Sequence, residues 1–178
     1  MDIIKDSITF CVNHEVMTRG LYIPDVKNLG DYDVYTIDMR LRQPYVDIPM
    51  TEIEAHSFEH NFATALREVG NSGEYCHDAE VLYFGPMGCM TGFYAVIAIR
   101  IGLTEEEVPN YLLDMLFKTC ALMHLQRDIV AKNKTQCGNC FTLGNIEDIE
   151  PLLTDLESLI LTCKESKSFN EYEFIKEV

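Results

Sequence analysis

The sequence is poor in positive charge. It has 14 lysines and arginines against 29 aspartates and glutamates, a formal net charge of −15. A surface of that sign repels nucleic acid and anionic membranes, so neither is expected as a partner. It suits a protein handling a neutral or zwitterionic small molecule. No apolar run approaches the roughly 18 residues that a membrane span needs. The opening stretch MDIIKDSITF lacks the basic and apolar regions of a signal peptide. No internal repeat, low-complexity tract or linker is visible, so one domain over residues 1–178 is the economical expectation. The seven cysteines are odd in number and scattered, unlike the framework of a small secreted disulfide protein. Reduced thiols in the cytoplasm are therefore expected, free for metal binding or catalysis. What is present is an ordinary globular composition, 47% apolar and 24% charged.

Residues 33–42, DVYTIDMRLR, alternate. Tyr35, Ile37, Met39 and Leu41 share one face, and Val34, Thr36, Asp38 and Arg40 the other, the pattern of a half-buried strand. Thr51 with Glu54 forms a capping box, which predicts a helix from Glu52, ending at Gly70 as its C′ residue. Residues 79–85 and 92–102 predict two further strands, the second with Phe93, Ala95, Ile97, Ile99 and Ile101 on one face. A second helix follows TEEE at 104–107 and runs through Gln126, with Pro109 blurring its start. A third, capped by Asn145, ends near Cys163. Residues 164–178 are charged and expected to be peripheral. Strands without a helix between every pair imply an antiparallel sheet with helices packed on one face, a two-layer α+β sandwich.

The first helix carries HSFEH at 56–60. Successive helical residues turn about 100°, so His56 and His60 stand about 40° apart and can approach one cation. Glu59 falls on the stripe Ala55, Glu59, Phe62, Leu66, Val69, which the spacing assigns to the core. A carboxylate there is costly unless it has a proton to exchange with a bound water or hydroxyl. One helix offers two ligands, whereas a catalytic site of the zinc type takes three plus an open position. Cys137, in QCGNC at 136–140, is the best third ligand, a thiolate beside Gly138. With Cys140 it forms a CxxC, but no second CxxC exists and no strand precedes it in a βαβ setting, against a zinc knuckle or a redox motif. Cys89, in GPMGCMTGFY at 85–94, sits in a Gly- and Pro-rich turn between two predicted strands. A thiol exposed there is either a catalytic acid/base or nucleophile, or an incidental surface cysteine.

Alone, H-x-x-E-H is the signature of the inverzincin metallopeptidases. That class takes a downstream glutamate as third ligand; here Glu147 and Glu150 are the candidates, and Cys137 and Cys89 are left without a role. A non-enzymatic alternative is a metal-stabilised or thiol-sensing binding protein, whose structural site would recruit a fourth ligand such as Cys140.

Taken together, HSFEH, GPMGCMTGFY and QCGN, in that order and with DMRLRQP upstream, resemble the S-ribosylhomocysteine lyase (LuxS) family over about residues 8–163. The resemblance implies a fold akin to that of the peptidase class and a homodimer with two active sites at the subunit interface. It implies one divalent metal per subunit, iron(II) first and zinc or cobalt as alternatives, held by His56, His60 and Cys137. It makes Glu59 and Cys89 the acid/base pair, sets Arg40 beside the cysteine, and makes His14 and Thr9 substrate contacts, with threonine where serine is common. The implied reaction converts S-ribosylhomocysteine to homocysteine and 4,5-dihydroxypentane-2,3-dione, the autoinducer-2 precursor, by internal redox and β-elimination assisted by a Lewis acid. Some positions depart from the family pattern: Tyr83 stands where an aspartate is expected, and Arg42, Tyr45, Met90 and Cys140 are atypical.

Overall fold

The computed structural model describes residues 11–72 and 79–175, and Thr9 lies outside them. Four strands, β1 (Gly20–Leu29), β2 (Tyr32–Arg40), β3 (Ala79–Pro86) and β4 (Gly92–Arg100), pair antiparallel in the order β1-β2-β4-β3. Three helices, α1 (Glu52–Asn71), α2 (Glu107–Met123) and α3 (Glu150–Ser166), complete the expected α+β sandwich. Helix α1 packs against α2 and β3, while α3 packs against α2 and β1. No helix among the described residues is long and apolar enough to cross a membrane.

Strand β1 is the one that alternation does not announce. Pro24 removes a backbone donor, and the pairing with β2 shifts register between Tyr22 and Asp25, so the period of two breaks mid-strand. In β2, Ile37 and Met39, with Leu41 just beyond the strand, are buried as the pattern predicts. The opposite face departs from the half-buried expectation. Asp38 and Arg40 are only 1% and 2% exposed.

Helix α1 starts as predicted. The Thr51 hydroxyl accepts the Glu54 N–H at 3.2 Å, and Glu54 Oε2 accepts the Thr51 N–H at 2.7 Å. Its end differs, because the helix passes through Gly70 to Asn71, with Ser72 as the C-cap. A Cβ at Gly70 would stand 3.2 Å from the Met115 side chain and 3.6 Å from that of Val81. This glycine serves the close approach of α1 to α2 and β3 rather than a left-handed stop. Pro109 lies in the first turn of α2, where its missing N–H has no helical partner in any case. Asn145 caps a short 3-10 turn, Ile146–Asp148, and α3 begins after it with Pro151 in its first turn.

Four phenylalanines join the layers. Phe58 of α1 lies 4.9 Å from Phe93 of β4, Phe62 lies 4.6 Å from Phe84 of β3, and Phe84 lies 5.3 Å from Phe93, centroid to centroid. Such pairs add about 0.5–1.5 kcal/mol each beyond the area they bury. They also fix the rotation of α1 about its axis, and hence where His56, Glu59 and His60 face.

The charged tail docks instead of hanging free. Lys167, at a left-handed φ of 55°, ends α3 and reverses the chain. Asn170 then donates its N–H to the Leu21 carbonyl at 2.7 Å and accepts the Leu21 N–H on its side chain at 2.9 Å. A Cβ at Gly20 would stand 2.6 Å from Asn170 Oδ1, so glycine is what lets this contact form. Further on, the Asn13 and Ile175 N–H groups donate to Glu173 and Cys11 carbonyls, both at 2.8 Å.

Candidate active site

His56, His60 and Cys137 offer ligand atoms that all lie within 4.8 Å of one another. Helix α1 supplies the histidines one turn apart, and the loop after α2 brings the cysteine. Cys137 Sγ stands 3.5 Å from His56 Nε2. A cation bound tetrahedrally at ordinary nitrogen and sulfur distances sets those atoms about 3.5 Å apart, so the trio fits a metal.

The hydrogen bonds set the imidazole tautomers. His60 Nδ1 lies 2.9 Å from the Val130 carbonyl, which can only accept, so Nδ1 carries the proton and Nε2 keeps its lone pair. His56 Nδ1 lies 2.7 Å from Thr142 Oγ1. That hydroxyl donates its single proton to the Asn139 carbonyl at 3.0 Å, so it must accept from His56. Both Nε2 atoms are therefore free to ligate. Burial, with the neighbouring His60, pushes the His56 pKa below its usual value and favours the neutral donor. Asn139 donates its backbone N–H to Cys137 Sγ at 3.4 Å. Buried Asn61 fixes the loop against α1, accepting from Val130 N at 2.9 Å and donating to the Asp128 carbonyl at 3.2 Å. These supports, Thr142 and Asn61 above all, escape a reading of the sequence. Only the proximity of Asn61 to His60 in the chain hints at one of them.

Glu147 and Glu150 are exposed and outside the group, so among the described residues the hydrolase reading lacks a carboxylate as its third ligand. Cys140 is also outside it and opens a short 3-10 turn, leaving a structural site without a fourth ligand among the described residues. Glu59 corrects the core-stripe expectation. Ala55, Phe62, Leu66 and Val69 are buried, but the Glu59 side chain is 29% exposed. It lies at the edge of the stripe, with Oε2 3.8 Å from His60 Nε2. It lines a cleft of about 330 Å³ with His56, Tyr83, Pro86, Met90 and Thr142.

The cleft wall opposite α1 is the end of β3 and the turn that carries Cys89. The Met87 N–H donates to the Gly92 carbonyl at 2.9 Å, and Met90 adopts a left-handed φ of 57°. The Met90 carbonyl accepts the Met50 N–H at 2.8 Å, which ties this turn to the start of α1. Cys89 is exposed, as its turn predicts. Its Sγ lies 3.0 Å from Thr91 Oγ1 and 3.6 Å from Arg40 Nη1. Partial burial opposes the thiolate, but hydrogen bonds from Thr91 and the charge of Arg40 outweigh it, so Cys89 titrates below an ordinary thiol. Arg40 donates to Thr91 Oγ1 and, through Nη2, to Asp38 Oδ2, both at 2.6 Å. The Tyr172 hydroxyl donates to the same Asp38 oxygen at 2.9 Å. His14, whose Nδ1 bonds the Val12 carbonyl at 3.0 Å, borders this cluster with Tyr94.

The departures from the family pattern also find places. Tyr83 is half exposed at the cleft, where a Cβ at Gly85 would strike its hydroxyl. Arg42 donates to Asp155 of α3 at 2.6 Å and to the Leu41 carbonyl at 3.0 Å. Tyr45 takes a left-handed φ of 62° in an exposed loop.

Residues 8–149 match the family described as S-Ribosylhomocysteinase (LuxS). The chain is 39% identical over 131 residues to the S-ribosylhomocysteine lyase of Clostridium acetobutylicum, covering 74% of this chain and 77% of that protein. It is 34% identical to the S-ribosylhomocysteine lyase of Clostridium beijerinckii, over 74% of this chain and 76% of that one. Its identity to the S-ribosylhomocysteine lyase of Borreliella burgdorferi is 29%, over 76% and 80% respectively.

Proposed function

The chain belongs to the S-ribosylhomocysteinase (LuxS) family, and from that premise we propose that it cleaves S-ribosylhomocysteine to homocysteine and 4,5-dihydroxypentane-2,3-dione, with Glu59 and Cys89 as acid and base. The observation that carries this reading is a three-ligand group beside a cleft that Glu59 lines together with the ligand His56, with a thiol of lowered pKa on the adjoining turn.

His56, His60 and Cys137 would hold a divalent ion, which when bound would supply Lewis acidity towards the oxygens of the opened sugar. Glu59, at the edge of the cleft, takes a proton from one sugar carbon and returns it to the next. Cys89 performs the same exchange from the other side as a thiolate held by Arg40 and Thr91. Two such exchanges move the carbonyl from C1 to C3. A proton then leaves C4 and the C5–S bond breaks with its electron pair going to sulfur, which takes up a proton to leave as homocysteine, while the resulting C4–C5 enol ketonises by protonation at C5 to give the dione. No external oxidant or water is consumed, which separates this chemistry from peptide hydrolysis.

Two imidazoles and a thiolate suit iron(II), zinc or cobalt, and we assign iron(II) as the working metal. His14 and Thr9 are assigned to substrate contact. We further assign a cytoplasmic homodimer, one catalytic domain per chain, with the sites at the subunit interface. The exposed apolar loop residues Tyr45 and Ile48, each 87% exposed, support an interface near the Cys89 turn, and the odd number of scattered cysteines suits a reducing compartment. The test is an anaerobic assay of iron-loaded protein with S-ribosylhomocysteine, following thiol release. Release at a catalytic rate is expected; none above background from fully metallated protein refutes the reading.

A further inference from the structure

The cluster behind Cys89 extends beyond the residues that the family match covers, which end at 149. The segment after α3 returns to the sheet and lays Tyr172 over Tyr22, rings stacked at 4.5 Å and 12°. Its hydroxyl reaches Asp38 Oδ2, the oxygen that also accepts from Arg40. Arg40 in turn spends its other terminal nitrogen on Thr91 and Cys89. We propose that the C-terminal segment is part of the active site, and that the Tyr172 hydroxyl is a positioning group which, through Asp38, holds the Arg40 guanidinium against Cys89 and Thr91.

The argument is one of charge and aim. Asp38 and Arg40 are buried together, and a buried carboxylate draws strongly on its one cation. A hydroxyl donated to that carboxylate takes up part of its negative charge and leaves more of the Arg40 charge for the thiolate. It also fixes the carboxylate, and so the direction in which the guanidinium points. The charged and titratable groups meeting here are His14 and Tyr172 from the terminal segments, Asp38 and Arg40 from β2, and Cys89 and Tyr94 from β4 and its turn. Burial raises the Asp38 pKa, against Arg40, Tyr172 and His14, which lower it. The hydroxyl thus also helps to keep the carboxylate ionised.

This proposal rests on the assignment of Cys89 as an acid/base group, and its test does not use turnover. The rate of alkylation of Cys89 by iodoacetamide is followed against pH in the metal-loaded protein, reading the Cys89 peptide by mass spectrometry. Tyr172→Phe keeps the stacked ring and removes only the hydroxyl; its inflection is expected to move up by several tenths of a pH unit or more. In an Asp38→Asn background the same change should move it no further. Asn170→Ala, which unfastens the segment without touching the cluster, should shift it in the same direction. Glu171→Gln, exposed on the same segment, should not. An unchanged or lowered inflection in Tyr172→Phe, or an equal shift with Asp38→Asn present, overturns the proposal whatever the melting temperature does. If instead Cys89→Ala turns over normally, it is the acid/base assignment that fails.

Discussion

The two halves of the candidate site are built on opposite principles. The candidate metal-ligating half uses two imidazoles on a rigid helix and a cysteine sulfur on one loop, each oriented by a hydrogen bond to Val130, Thr142 or Asn139. The Cys89 half uses charge. Its thiol sits at the end of a chain running Tyr172, Asp38, Arg40, drawn from segments far apart in sequence. The difference teaches that orienting a lone pair takes one well-placed hydrogen-bond partner per ligand, even when that partner comes from a distant loop. Stabilising an anion in a partly buried place takes a buried ion pair, and that pair is bordered by residues as far apart in sequence as His14 and Tyr172.

Substitutions can break this contrast. The largest effects come from Cys137→Ala and Cys89→Ala. The first should lose the metal, and turnover should fall to background; the second should keep a full metal complement and lose turnover by about 100- to 10,000-fold. Metal analysis beside the thiol-release assay separates them, and metal loss from Cys89→Ala would mean that the two cysteines' roles are exchanged. Next is Thr142→Val, which frees the His56 tautomer without removing a ligand. It should weaken metal binding by about 10- to 100-fold, as measured by competition with a chelator, while leaving the pH inflection of Cys89 alkylation in place. A shift of that inflection would show that the halves are not independent.

The smallest effect lies outside both halves. The Arg19 guanidinium, with the Gln43 N–H, lowers the Asp47 carboxyl from 3.8 to about 2. A depressed carboxylate stabilises the fold above its unfolded pKa and loses that contribution as pH falls through the folded value. Wild type should therefore exceed Asp47→Asn in stability near neutrality by less than about 1 kcal/mol, because the pair is partly exposed. The margin should vanish between about pH 4 and pH 2. Thermal melts across that range check it.

How much of this was legible in the sequence follows the same division. His56, His60 and the helix that holds them are local features, and spacing with a capping box is enough to place them. Cys137 is legible as a ligand type, while its arrival beside His56 is tertiary. Alternation locates β2 because its faces differ in polarity, while β3 and β4 show as apolar runs bounded by glycine. It fails for β1, where Pro24 and a register shift interrupt the period. It also misjudges Asp38 and Arg40: alternation reports polarity, and a polar face reads as solvated unless something distant covers it. Tyr172 is that cover, and its own neighbours are charged enough to pass for a loose tail. Gly70 fails for a related reason. A glycine near a helix end suggests a stop, yet here the absent Cβ makes room for Met115.

The docking of residues 170–175 onto residues 11–21 sets an order of events during synthesis. His56, His60 and Cys137 have all been translated once residue 137 is made, whereas Asp38 waits for Tyr172, farther along the chain. On the proposed roles, the nascent chain completes its His-His-Cys group before the Asp38–Arg40 pair beside Cys89 has its last partner. Proteolysis that removes residues 170–175 would return the protein to that earlier state, and on the proposed roles it should keep its metal and lose turnover.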